Sequence, residues 1–207
     1  AALGSWTKRR PLTLLNSGRS ALINFPVLVA LDSSRIDYSS TQNSGQDLRF
    51  VDNDGVTILS HEIESWNEAG TSYVWVSIPQ VEAFSSLDCI WMYYGNASAA
   101  DAQNASGVWD SNFSAVWHFN GSFNDSTSAA ANGVNNGSTS AAGKFANGLN
   151  FNGTSGYVQT PVSLKTVNNY TVSLWFRSSD TVNPRHLVWQ GPATENGWGV
   201  NDTPATL

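Results

Sequence analysis

The chain has 207 residues, enough for one large or two small domains, and only 13% of them are charged. Nine tryptophans accompany abundant Gly, Ser, Thr and Asn, a composition typical of an all-β extracellular or cell-surface protein rather than of a disordered chain. The formal net charge of −6 disfavours nucleic acid and anionic membranes as partners. No apolar run approaches the roughly 18 residues of a membrane-spanning helix, so we expect no membrane insertion.

The first half of the chain reads as a series of strands. Strands are predicted at Trp6–Leu15 and Phe25–Leu31, then as a three-stranded meander over Asp47–Pro79, and then within Val81–Tyr94. In the meander, Glu62, Glu64 and Trp66 alternate with His61, Ile63 and Ser65, which gives the period of two that a pleated strand requires. Its two turns are expected at Asp54-Gly55 and Ala69-Gly70, where glycine supplies a positive φ.

The second half is also predicted to be β-rich. Ser98 is expected to cap a short helix that ends at Gly107, and the change in composition there sets a domain boundary between residues 1–107 and 108–207. The strands expected beyond it are Ala115–Phe119, Leu149–Phe151, Gly156–Gln159, Thr171–Phe176, Leu187–Gln190 and Gly197–Val200. The single cysteine, Cys89, cannot form an internal disulfide and is expected to be a buried small hydrophobe.

Two family resemblances follow from these segments. The blocks WTKRRPLTL, NFPVLVALD, GQDLRFVDNDG, HEIESWN, VWVSIP, WMYYGN and GVWD, in that order, resemble a domain of unknown function found in prokaryotic surface and secreted proteins. That resemblance implies no catalytic mechanism. The blocks AVWHFNG, NDSTSAAANG, GKFANGLNFNGTSGYVQT and YTVSLWFR are similar to the start of a laminin-G-like, concanavalin A-like domain. This second resemblance implies a jelly-roll sandwich that binds glycans or proteins, often with calcium.

The laminin-G-like family normally continues for several strands beyond the point that corresponds to Leu207. The sequence is therefore expected to hold two antiparallel β-sandwich domains, the second one incomplete. Either the sequence is a fragment, or another subunit supplies the missing strands. An incomplete sandwich would leave open sheet edges, through which subunits could associate by strand exchange.

Several acidic residues are candidates for catalysis or metal binding. Glu62 and Glu64 share one strand face, but Asn67 stands where the glucanases of the concanavalin A-like fold carry a third acid, so a polar strand face is favoured over a glycosidase site. Asp52-Asn53-Asp54-Gly55 is better explained by a hairpin turn than by a calcium loop, because Ile63 occupies the twelfth position. The laminin-G-like resemblance makes Asp125 the calcium candidate.

Aromatic and amide side chains provide the remaining candidates. Trp189 and Trp198 flank a Gly/Asn-rich loop and could form a sugar-stacking platform, although both could instead fill a sandwich core. The three histidines have no zinc-ligand spacing, and His118 is expected to be packed. N-glycosylation sequons occur at Asn96, Asn104, Asn112, Asn120, Asn124, Asn136, Asn152, Asn169 and Asn201.

The sequence thus predicts a non-enzymatic, all-β extracellular protein that serves in adhesion or glycan binding. Its partners would be glycans or surface proteins, with calcium as the one cofactor that the resemblance suggests. The alternative is a structural subunit of an extracellular filament or sheath assembled by strand exchange. A glycoside hydrolase is the least supported interpretation.

Overall fold

The computed structural model describes residues 3–163, 169–178, 185–190 and 198–202, and for residues 185 and 198–202 it describes the backbone alone. The prediction of an all-β chain with antiparallel sheets is confirmed. A short helix, α1 (Ala105–Val108), and one 3₁₀ turn, Tyr38–Ser40, accompany the strands. The strands are β1 (Lys8–Thr13), β2 (Leu22–Leu31), β3 (Arg49–Val51), β4 (Ile58–Leu59), β5 (His61–Ser65), β6 (Ser72–Val81), β7 (Cys89–Tyr94), β8 (Val134–Asn136), β9 (Thr139–Ala142), β10 (Asn147–Asn150), β11 (Tyr157–Gln159), β12 (Arg185–Gln190) and β13 (Trp198–Asp202).

The first seven strands form two sheets that pack face to face. One sheet has the order β1-β7-β3-β4, and the other has the order β2-β6-β5. Alternate residues of each strand point into the space between the sheets, as a pleated strand requires. The buried cluster therefore draws on both sheets and on the loops between them: Leu14, Val29, Leu31, Ile36, Leu48, Phe50, Leu59, Val74, Val76, Ile78, Val81, Ile90, Met92 and Tyr94.

The expected three-stranded meander is wrong in its connectivity. Both hairpins exist, but β3 and β4 belong to one sheet while β5 and β6 belong to the other. The chain changes sheets at Ser60, between buried Leu59 and buried His61. Gly55 has the expected positive φ of 72°, and the hairpin-turn interpretation of Asp52–Gly55 is confirmed by the Gly55 N–H bond to the Asp52 carbonyl, 3.0 Å. Gly70 does not have a positive φ.

A β-bulge in β5 changes which side chains share a face. The register with β6 shifts between Ile63 and Ser65, so Glu64 is the extra residue. Beyond the bulge, Trp66 packs against the core and meets Tyr38 edge-on at a centroid distance of 5.3 Å. Strict alternation predicted that Trp66 shares a strand face with Glu62 and Glu64. Because of the bulge, Trp66 does not lie on that face.

The loop before β3 is fixed by a fully buried carboxylate. Asp47 accepts hydrogen bonds from the backbone N–H groups of Gln42 at 2.9 Å, Gly95 at 2.7 Å and Asn96 at 3.1 Å. The Trp6 indole donates to the Asp47 carbonyl at 2.6 Å. These contacts join the start of the chain, the loop before β3 and the end of β7, and they satisfy donors that burial would otherwise leave without partners.

The structure differs from several other sequence predictions. The helix is α1 rather than a turn capped by Ser98, and its capping residue is Asn104, which accepts from Gly107 N at 3.2 Å. Residues 115–119 and 171–176 are not strands. Cys89 is half-buried on the outer face of its sheet, because its neighbour Ile90 takes the inward position. In the described part of the chain, no helix is both long and apolar enough to span a membrane.

The strands after residue 133 pair only in twos: β8 with β11, β9 with β10, and β12 with β13. Among the described residues, every buried hydrophobic side chain lies at or before Trp109. Several large side chains beyond it are exposed, including Val134, Phe151, Tyr157, Trp175 and Phe176. The division into two domains at residue 107 stays a prediction.

His61 is a buried base without a partner at one ring nitrogen. It is 1% exposed and its Nε2 has no hydrogen-bond partner. Burial, reinforced by the positive charge of Arg49, lowers its pKa to about 4. The unfolded state therefore binds a proton that the folded state does not, and stability should fall as pH drops from about 6.5 to 4.

We predict that the lowered pKa of His61 reduces the unfolding free energy by roughly 3 kcal/mol as the pH falls from about 6.5 to about 4. His61→Leu should remove that loss, which urea unfolding at pH 7 and at pH 4.5 would measure. His186→Leu, at an exposed position, serves as the matched control and should behave like the wild type. An unchanged acid loss in His61→Leu would contradict the assignment.

Candidate functional site

Two carboxylates of β5 meet a histidine that follows Glu62 by 56 residues. The imidazole of His118 lies between Glu62 and Glu64: its Nε2 is 3.1 Å from Glu62 Oε2, and its Nδ1 contacts Glu64 Oε2. The side chains of these residues are only 14%, 6% and 18% exposed for Glu62, Glu64 and His118. We call the three residues the ion triad. The carboxylate pair, which the sequence predicted as part of a polar strand face, is thus largely shielded from solvent.

Further donors satisfy the two carboxylates. Glu62 Oε2 also accepts from the indole N–H of Trp109 at 2.8 Å, and Glu62 Oε1 accepts from the Ser126 hydroxyl at 2.6 Å. Glu64 Oε2 accepts from the indole N–H of Trp75 at 3.0 Å. A buried ion pair is tolerated only when its remaining lone pairs are hydrogen-bonded in this way.

The electrostatics of the triad fix its protonation state at neutral pH. Burial alone would lower the pKa of His118, but its hydrogen bonds to Glu62 and Glu64 and their negative charges raise that pKa to about 9. Burial raises the pKa of Glu62, but hydrogen bonds from His118, Ser126 and Trp109 and the charge of His118 hold it below its ordinary value. His118 is therefore an imidazolium that donates from both ring nitrogens.

Aromatic rings surround the imidazolium. The His118 ring centroid lies 5.9 Å from that of Trp109 and 6.4 Å from that of Trp75. Trp75 and Trp109 are 5.1 Å apart, and Phe113 meets Trp109 edge-on at 5.2 Å. These rings shield one side of the triad from water, and the lower local polarity there strengthens its ion pairs.

The chain reaches the position of His118 by passing around the edge of β5. Asn104 N donates to the His61 carbonyl at 2.9 Å, and Ile63 N donates to Gln103 Oε1 at 2.7 Å. The chain then crosses the outer face of the sheet, where Asn120 Nδ2 donates to the Glu64 carbonyl at 2.6 Å. Residues 103–127 thereby cover the face on which the two glutamates lie.

Asp125 organises the loop that carries His118. Its Oδ1 accepts from the N–H groups of Val116 at 2.9 Å and Thr127 at 3.0 Å, and its Oδ2 accepts from the Thr127 hydroxyl at 2.7 Å and Ala131 N at 2.9 Å. Burial raises the pKa of Asp125, but these donors hold it below its ordinary value. Calcium binding by Asp125 stays a prediction, and both of its oxygens already accept hydrogen bonds.

A polar groove of about 590 Å³ opens beside the triad. Glu62, Glu64 and His118 contribute to its wall, and amide and hydroxyl side chains provide most of the remaining polar lining, including Gln103, Asn104, Asn120, Ser122, Asn124 and Ser126. Phe119 adds one aromatic ring. Its backbone has a φ of 56°, a left-handed conformation that turns the chain directly after His118. The groove offers convergent hydrogen-bonding groups to a small polar ligand.

The two tryptophans predicted as a sugar platform lie away from this groove. Trp189, in β12, is 41% exposed, and its ring lies 4.8 Å from that of His186. The Trp198 backbone pairs with Gln190, and its side chain lies outside the described residues. Their role in sugar binding stays a prediction.

The sequons differ in accessibility. Asn104, Asn112, Asn124, Asn152 and Asn169 are exposed, Asn96, Asn120 and Asn136 are half-buried, and only the backbone of Asn201 is described. Some of the amides have structural roles: Asn152 Oδ1 accepts from Thr154, Ser155 and Gly156 N–H groups at 2.9–3.0 Å. Glycosylation at these positions stays a prediction.

The contacts of Trp75, Trp109 and Ser126 with the two glutamates of the triad were not predicted from the sequence. One signal was present, because the hairpin register places Trp75 directly opposite Glu62. The partnership with His118 carries no local signal, since it depends on how a later loop docks. Within the described ranges, no three His, Cys, Asp or Glu side chains are arranged to hold a metal ion.

Residues 44–135 match the model of a family described as a domain of unknown function, DUF2341. The matched range contains all three residues of the ion triad and crosses the boundary expected at residue 107. Searches of curated proteins and of solved structures found no match to this chain.

The raised pKa of His118 makes the fold sensitive to alkali. Stability from the triad is fully present below the unfolded pKa of about 6.5 and is lost as pH rises through about 9. We predict that the wild type loses roughly 3 kcal/mol of unfolding free energy through this group. His118→Gln should lack this loss and be about 3 kcal/mol less stable at pH 7, because two buried carboxylates lose their counter-ion.

Urea unfolding between pH 6.5 and 9.5 would measure both effects. His186→Gln removes a histidine from an exposed position and is the matched control, which should keep the wild-type slope. Equal alkaline slopes for the wild type and His118→Gln would show that the triad does not stabilise the fold.

Proposed function

We propose that this protein is an extracellular, non-catalytic binding module that takes neutral glycans in the polar groove beside the ion triad. The groove is the observation that carries the proposal. Its amide and hydroxyl groups can both donate to and accept from sugar hydroxyls, and the ring of Phe119 can contact the apolar face of a sugar. The laminin-G-like resemblance of the segments from residue 115 onward supports the same ligand class.

The state of Glu62 favours binding over hydrolysis. A glycosidase needs one carboxylic acid with a raised pKa to protonate the leaving group, whereas hydrogen bonds lower the pKa of Glu62. His118, with a pKa of about 9, carries no free lone pair at neutral pH and cannot act as a general base. We assign the triad the task of holding the loop that forms one wall of the groove.

An extracellular or cell-surface location fits the composition, in which charge is low and aromatic residues are frequent. The exposed sequon residues outside the groove, Asn112 and Asn152, are accessible for a glycan coat if the host modifies them. Adhesion would follow from glycan recognition in such a setting.

A structural subunit assembled by strand exchange is the second candidate. The two-stranded pairs after residue 133 and the exposed side chains on and beside them favour it. A two-stranded sheet is marginal in water, and strands from a second copy of the chain could extend it and cover those side chains.

Groove binding is tested with a matched pair of substitutions in one loop. Ser122→Trp places a large ring in the groove, and Ser128→Trp places it at an exposed position of the same loop outside the groove. We expect saturable binding to a panel of cello-, chito- and manno-oligosaccharides, weakened about tenfold or more by Ser122→Trp. Ser128→Trp should bind like the wild type in calorimetry.

Trp189→Ala distinguishes the groove from the predicted platform. Unchanged affinity would support the groove. Loss of affinity in Trp189→Ala together with full binding by Ser122→Trp would show that glycans bind at the predicted tryptophan platform and not in the groove. A panel without any binding would contradict the proposed function.

The structural alternative predicts ligand-independent polymers in light scattering and electron microscopy. Val134→Lys, in strand β8 at 59% exposure, should then prevent assembly, because a charge on an open strand opposes pairing. Val56→Lys, at 69% exposure in the β3–β4 turn, is the matched control and should still assemble. A monomer at all concentrations would exclude this alternative.

A further inference from the structure

The outer face of the four-stranded sheet carries aromatic side chains between two arginines. Since Ile90 and Met92 of β7 point into the core, Trp91 and Tyr93 point outward. Tyr93 lies opposite Arg9 of β1 on one side and Arg49 of β3 on the other. Trp91 and Tyr93 are both half-buried, so part of each ring remains accessible.

Three consecutive cations lie on the edge strand of this sheet, with Arg9 on the outer face and Lys8 and Arg10 on the opposite face of the strand. Lys8, Arg9 and Arg10 are all exposed on β1, which is the edge strand of its sheet. The Arg9 guanidinium lies 4.6 Å from the centroid of the Trp91 ring. Lys8 Nζ lies 3.9 Å from an Asp37 oxygen, and Arg10 donates to the Ser34 carbonyl at 2.8 Å. These contacts hold Lys8 and Arg10 on the side of the strand away from the aromatic rings, and Arg9 alone of the three lies on the aromatic face.

The local charge is opposite to that of the whole chain. The protein has ten Lys and Arg residues and a net charge of −6, yet three of its cations are adjacent on this strand. Adjacent cations of this kind attract an anionic ligand to this edge of the sheet, while the net negative charge of the chain disfavours such a ligand elsewhere.

We propose that the face formed by Arg9, Trp91 and Tyr93 binds a uronic-acid-containing polysaccharide. A sugar ring presents an apolar C–H face that can pack on Tyr93 and on the part of the Trp91 ring that the Arg9 guanidinium leaves uncovered. Its carboxylate can take a paired, charge-assisted hydrogen bond from the planar guanidinium of Arg9. Arg9, Trp91 and Tyr93 lie on the sheet β1-β7-β3-β4, whereas the neutral-glycan groove lies beside β5 of the other sheet. The proposed site is therefore independent of the proposed neutral-glycan binding.

A different explanation exists for the charges alone. Cations and a proline on an edge strand prevent unwanted strand pairing, and β1 contains both, in Lys8–Arg10 and Pro11. Edge protection requires no contribution from Trp91 and no ligand. The decisive experiment must therefore separate the aromatic contact from the charge.

The probe is polygalacturonate, titrated into the full chain by calorimetry at low salt and at 0.5 M NaCl, with neutral amylose as comparison. We expect binding to polygalacturonate alone, weakened by salt. Arg9→Gln and Trp91→Leu should each reduce affinity about fivefold, the scale of one exposed cation–π or ion-pair contact. Arg19→Gln removes the same charge from the loop between β1 and β2 and should change affinity less than twofold. Unchanged thermal unfolding midpoints in all three variants would show that the losses arise at the site.

Three results would overturn the proposal. The first is the absence of binding to polygalacturonate. The second is an equal loss in Arg9→Gln and Arg19→Gln with no change in Trp91→Leu, which would leave only general electrostatics and edge protection. The third is equally tight binding to duplex DNA under the same conditions, which would show that sugar stacking contributes nothing.

Discussion

The ion triad is the constraint on which the arrangement of the candidate site depends. Two carboxylates on a buried sheet face would be strongly unfavourable without a counter-ion. The imidazolium of His118 supplies it, and indole and hydroxyl donors supply the remaining hydrogen bonds. Because His118 arrives on a loop fixed by Asp125, the same interaction that neutralises the sheet face also sets the position of that loop. The groove wall is a consequence of that docking.

Such a triad contributes more to specificity than to net stability. A buried ion pair seldom stabilises a protein more than apolar residues of the same volume would, but breaking one is costly. A different register of the loop would separate His118 from one or both glutamates, and that error carries a high energetic penalty. The bulge at Glu64 is part of this arrangement, since bulges redirect side chains at places where regular pleating does not aim them.

The architecture was largely accessible from the sequence, because it depends on local patterns. The strands predicted over Asp47–Pro79 and Val81–Tyr94 and the Asp54-Gly55 turn correctly indicated β6, β7 and a hairpin. Long-range events were not accessible. The change of sheet at Ser60 depends on how the two sheets pack around the core. The bulge at Glu64 interrupts the alternation that predicted Trp66 on the face of Glu62. The pairing of His118 with Glu62 spans 56 residues and requires a loop whose structure comes from the Asp125 side chain.

The two outer faces of the sandwich differ in a way that suggests separate tasks. The β5–β6 face is covered by residues 103–127 and closed by the ion triad. The β1–β7 face presents Trp91 and Tyr93 beside Arg9. We propose the first face as the site for neutral glycans and the second as a contact surface for an anionic chain.

The protonation state of His118 is the most direct test of the triad. Long-range ¹H–¹⁵N NMR spectra of the imidazole, recorded across pH 5 to 10, would report both ring nitrogens. We predict that both carry a proton at pH 7.5 and that the ring titrates near pH 9. A ring that loses a proton near pH 6.5, as a solvent-exposed histidine does, would show that the two glutamates do not hold it and that the loop docks by other contacts.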